Sequence, residues 1–219
     1  LWANHSPRDG TVDMSQAIST EFIRRIPKTD LHVHLGGSMR LSTLIELAKK
    51  HKVKLPSFTE DGMRRLVFKD HYADLPDYLK GFSYTHAVMQ NAENLERVAF
   101  ELAEDNLAEG VRYLEVRYAP QNYINDRLDM ETVVRSVCQG LERAKKRHNR
   151  TKPVTSGADI PFHFGIIFSA MRFVTPHMSP YYARLFEILP AASPKHVCTT
   201  ASMELARNAV DLAHKKGLP

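Results

Sequence analysis

Residues Thr29–Ser38, TDLHVHLGGS, set His32 and His34 one residue apart in an otherwise apolar run that breaks off at Gly36 and Gly37. In an extended strand, side chains two apart share a face, so His32 and His34 point together while Val33 points into the opposite layer. Two imidazoles converging on one point suit a divalent transition metal. The glycines directly after them let the backbone come close to a ligand with no Cβ in the way. Spacing alone does not single out a metal: 11 histidines among 219 residues produce a His-x-His pair by chance about once in two such chains. Position adds weight, because the pair ends a strand and opens a glycine turn before a helix, and strand C-termini are where α/β barrels collect their chemistry.

Working outward, short apolar runs alternate with helical patterns. The strand candidates are residues 30–35, 113–118 and 164–171, and runs of that kind suit a parallel sheet buried by helices. Helical periodicity covers residues 41–52, a short piece near 59–67, then 76–89, 95–110, 130–147 and 201–216. Pro76 fits a first helical turn, and Gly110 and Gly217 fit helix ends. The βαβαβα order implies parallel strands joined by crossovers, closed as a barrel or open as a doubly wound sheet. Residues 148–161 and 175–194, the latter with four prolines, read as loops, the second with at most a turn or two of helix.

Composition narrows the class of function. With 43% hydrophobic residues the chain can bury a sizeable core. Thirty basic against 25 acidic residues give +5, but Lys and Arg are scattered along helices, which argues for a solvated surface and against a nucleic-acid stripe. Cys138 and Cys198 are the only cysteines, so neither a disulfide framework nor a Cys-x-x-Cys metal site is expected. No run is long enough to span a bilayer, and the first residues lack the regions of a signal peptide, so a cytoplasmic protein with no membrane partner is expected. Residues 1–19 read as an extension and 20–219 as part of one domain. His51, His71, His86, His148 and His214 fall on helical or loop patterns and read as surface or capping residues.

The run IPKTDLHVHLGGSMRLSTLIELA (Ile26–Ala48) resembles the opening motif of the adenosine deaminase family of metal-dependent (β/α)8-barrel amidohydrolases. YLEVRYAP (Tyr113–Pro120) resembles that family's second strand, Met171-Arg172 its third, and Leu75–Phe82 its hydrophobic lid over the purine. The similarity runs over about residues 20–217 and implies an α/β chain holding the first three βα units of a TIM barrel.

The resemblance also implies the chemistry. His32 and His34 would bind one zinc ion per subunit, with a further histidine and an aspartate from later strands. Zinc activates water for attack on C6 of adenosine, giving inosine and ammonia, a hydrolysis of a cyclic amidine C–N bond. Deoxyadenosine fits the same chemistry. The substrate-contacting residues would be His34, Gly36, Leu75, Tyr78, Leu79 and Phe82. Those last four lie at i, i+3, i+4 and i+7, a stripe that is ordinary core on many helices. The family's acid and base residues have no counterpart in these 219 residues, so no catalytic residue is expected within them. Gly36 stands where many relatives carry an acidic residue or asparagine for the ribose, which leaves adenine or an adenine nucleotide as alternative substrates. A truncated, non-catalytic family member is the alternative from another functional class. Cytidine-deaminase chemistry is disfavoured, because its Cys-x-x-Cys ligand pair is absent. Arg117 and Arg172, charged groups at strand ends, are expected to support the site or the fold through buried partners.

Overall fold

The computed structural model describes residues 18–217; residues 1–17 of the expected extension lie outside the described residues. The described elements run α1 (Thr20–Arg25), β1 (Lys28–His34), α2 (Leu41–His51), α3 (Glu60–Leu66), α4 (Leu75–Val88), α5 (Ala92–Ala108), β2 (Val111–Tyr118), α6 (Met130–Asn149), α7 (Lys152–Thr155), β3 (His163–Phe168), α8 (Pro180–Ile188) and α9 (Pro194–Lys216). The three strands form one sheet in the order β1-β2-β3, with both pairings parallel. That is the expected α/β arrangement, since helical crossovers of this length forbid hairpins.

Burial along β2 alternates. Leu114, Val116 and Tyr118 are buried among the helices, whereas Tyr113, Glu115 and Arg117 occupy the alternate positions. The main core joins Leu44, Leu47 and Ala48 of α2, Leu95, Val98, Ala99 and Leu102 of α5, and Val133, Val137, Leu141 and Ala144 of α6 to the sheet. Each such Leu or Val contributes about 1.5–3 kcal/mol on burial. Gly140 makes the α5–α6 approach possible: a Cβ there would collide with the Glu96 carbonyl and come within 2.9 Å of Ala99 Cβ.

The helix starts are set by side-chain caps. Asp74, Asn91, Asp129, Ser179 and Ser193 each accept a hydrogen bond from an N–H in the first turn of α4, α5, α6, α8 and α9. Four expectations need correction here, the first being the loop expected over 148–161, which holds the end of α6 and the short α7. The segment 175–194 contains α8, and α9 begins at Pro194, seven residues before the expected Ala201. Pro180 and Pro194 follow serine caps in first-turn positions, where a missing N–H costs nothing, so these prolines start helices. The third strand ends at Phe168, short of Met171, because Met171 and Val174 turn away to pack with Tyr182 and Val197 in a second, smaller core. Buried Gln121 ties that core to the end of β2: its Nε2 donates to Tyr181 Oη and to the Ala201 carbonyl at 3.0 and 2.9 Å. No described helix is long and apolar enough to cross a membrane.

Candidate active site

His32 and His34 close β1, and Leu35 leads into a short 3-10 turn, Gly36–Ser38. Their rings share one face, with centroids 5.4 Å apart and planes tilted by 50°. A metal bound about 2.1 Å from each ring nitrogen at a tetrahedral angle would put two imidazole centroids about 5 Å apart, so the pair fits a shared zinc as far as two donors can. Among the described residues no group of three or more His, Cys, Asp and Glu converges to hold a metal. His34 is held below the usual histidine range, first by desolvation and then by the positive charges of His32 and Arg117. That favours the neutral imidazole, the form a metal requires.

The α4 helix delivers the expected apolar stripe to this place. Phe82 packs edge-on to His34 at 6.4 Å between centroids, and its ring lies 3.3 Å from where a Gly37 Cβ would stand. Tyr78 stacks edge-on to Phe82 at 5.8 Å and to Tyr72 at 5.1 Å. Leu75, Tyr78 and Leu79 are exposed at 66%, 46% and 49%, so the stripe is not ordinary core. Phe82 thus lies next to His34 with Tyr78 stacked on its far side in the chain of ring contacts, while Leu75 and Leu79 are exposed on the same helix. Asp77 pins the start of α4. Its carboxylate accepts from Lys69 Nζ at 2.6 Å and from the Ala73 N–H at 3.3 Å, bonds that hold its pKa at about 2.

Gly36 is buried, and a Cβ on it would stand 3.3 Å from His86 Cδ2, His86 Nε2 and Thr85 Oγ1. His86 therefore departs from the expected surface role. Its ring packs edge-on against Phe82 and Tyr123 at 6.1 and 5.3 Å, and burial pushes its pKa down to about 4. Tyr123 follows β2 and is far from α4 in sequence, so no local pattern reveals the contact. His51 and His148 do bond at element ends, to Asn94 Nδ2 and the Ile160 carbonyl. Arg117 finds its partner in the Leu31 carbonyl at 2.8 Å, whereas Arg172 is exposed beyond the strand end. Asp30, one residue before the motif run Leu31–His34, escaped the sequence reading: its Oδ1 accepts from the His32 N–H at 3.1 Å. An Asx side chain two residues before a backbone N–H is the local signal that points to it.

The sequence profile of the adenosine deaminase family matches residues 27–179, most of the described chain. The chain belongs to the adenosine deaminase family. An adenosine deaminase from Clostridium botulinum is 36% identical over 156 residues, covering 69% of this chain and 47% of that protein. Among solved structures, an N6-mAMP deaminase from Arabidopsis superposes with a TM-score of 0.53 at 26% identity, over 77% of this chain and 48% of the other. An amidohydrolase from Burkholderia ambifaria, solved with bound zinc, superposes with a TM-score of 0.54 at 16% identity, over 83% and 46%, a likeness of fold. The chain spans about half the length of the curated relatives it matches. Its three parallel strands correspond to part of the barrel of these adenosine deaminase family enzymes.

Proposed function

We propose that the native protein is a zinc-dependent aminohydrolase that converts adenosine and deoxyadenosine to their inosine counterparts and ammonia. The observation that carries this reading is the His32/His34 pair, two imidazoles on one face at the end of β1 in a chain of the adenosine deaminase family. Bound there, zinc would supply Lewis acidity and lower the pKa of water toward neutrality. His32 and His34 would hold the ion as neutral donors, helped by the depressed pKa of His34. Phe82 and Tyr78 would wall the purine and keep bulk water from the reacting ring. In the net reaction water adds at C6 and the exocyclic amine leaves as ammonia. Gly36 offers the sugar no side chain, so backbone groups of the Gly36–Ser38 turn would meet the ribose. The partner is a small purine, and a cytoplasmic setting belongs to the same proposal.

An adenine nucleotide is the second reading, favoured by the bare Gly36 and by the likeness to a protein named as an N6-mAMP deaminase. The test is a comparison of kcat/KM for adenosine, AMP and adenine with the native protein. Adenosine is expected to lead; a higher value for AMP or adenine overturns the nucleoside assignment.

A further inference from the structure

β1 does not keep a plain register with β2. Asp30 stands opposite Leu114 and Val33 opposite Val116, so β1 uses three steps where β2 uses two, and the irregularity falls on Leu31 and His32. Such bulges re-aim side chains next to functional sites. Here both ends of one peptide unit are tied. The Leu31 carbonyl accepts from Arg117 Nη2 at 2.8 Å, and the N–H of the same unit, on His32, donates to Asp30 Oδ1 at 3.1 Å. This peptide plane sets the backbone direction into His32, and through it the direction of the His32 Cβ. Among the described residues Arg117 makes no ion pair, and its Nε is buried without a partner. The guanidinium is therefore committed to a backbone carbonyl, at the cost of an unsatisfied donor. Arg117 also stands opposite His34 in the strand register, so the residue that holds the peptide unit entering His32 is the cross-strand neighbour of the second histidine.

We infer that Asp30 and Arg117 are positioning residues that clamp the Leu31–His32 peptide unit and so aim the His32 imidazole at the point it shares with His34. The inference rests on His32 and His34 as metal donors. Groups that orient metal ligands in this way typically change affinity 10–100-fold when removed.

The test is zinc affinity, by competition with a chromophoric chelator, and the visible spectrum of the cobalt(II) form, on the native protein and its variants. Asp30→Ala and Arg117→Met should each weaken zinc binding about 10–100-fold and shift the cobalt bands. The melting temperature of the metal-free protein should stay close to that of His32→Ala. Asp30→Asn, whose amide oxygen still accepts from the His32 N–H, should bind zinc like the parent. Wild-type affinity in Asp30→Ala together with loss in His32→Ala overturns the clamp and leaves the metal assignment standing. Wild-type affinity in His32→Ala overturns the metal assignment itself. Equal losses in Asp30→Asn and Asp30→Ala also overturn the clamp, since charge and not the accepted hydrogen bond would then matter. Should Arg117→Met fail to fold, the Asp30 pair decides alone.

Discussion

Replacing His86 with leucine should make the protein markedly less sensitive to acid. His86 is packed between Phe82 and Tyr123, and burial takes its pKa from the ordinary 6.5 down to about 4. The unfolded chain therefore binds a proton at His86 between those values while the folded chain does not. Stability contributed by the neutral imidazole is complete above pH 6.5 and is lost as pH falls toward 4. One pH unit of displacement corresponds to about 1.4 kcal/mol, so at about pH 5 the loss amounts to about 2 kcal/mol, and below the folded value it reaches about 3 kcal/mol. Leucine fills a similar volume with no titrating group, and such a swap should cost less than about 1.5 kcal/mol at neutral pH. Urea unfolding of parent and His86→Leu at about pH 7.5 and about pH 5 measures the difference, the parent losing about 2 kcal/mol more. His34, also shifted down, is common to both proteins and cancels. Equal pH-dependent losses in the two proteins would refute the burial argument.

Other substitutions test the remaining contacts. Gly140→Ala should destabilise by about 2 kcal/mol despite a better helix propensity, because the methyl meets the Glu96 backbone. In thermal melts this should appear as a fall of about 4–8 °C in Tm, and an unchanged Tm would mean that α5 and α6 part easily. Phe82→Ala should raise the KM for adenosine about tenfold, the equivalent of about 1.4 kcal/mol of purine contact, with a smaller change in kcat. Steady-state kinetics of the native protein and this variant separate the two effects, and an unchanged KM removes Phe82 from the substrate wall.

The features legible in the sequence are the local ones. The period-two spacing of His32 and His34 gives their shared face, and the i, i+3, i+4, i+7 spacing of Leu75, Tyr78, Leu79 and Phe82 gives the helix that reaches them. Strand and helix alternation gives the parallel sheet. What stayed hidden depends on partners distant in sequence. The irregular register of β1 is a property of its pairing with β2, so nothing between Asp30 and His34 alone reveals which peptide unit Arg117 holds. His86 looks like any helical histidine until Tyr123 covers it. The α8 helix and the early start of α9 were obscured by Pro180 and Pro194, which are breakers in a helix interior and starters behind a serine cap.

The central claim is that His32 and His34 are two ligands of a zinc ion. Metal analysis of the purified native protein and of His34→Ala, each dialysed against the same zinc buffer, tests it most directly. The parent should retain one zinc per chain and His34→Ala essentially none, with both showing the same far-ultraviolet circular dichroism. Full zinc occupancy in a folded His34→Ala protein would contradict the account.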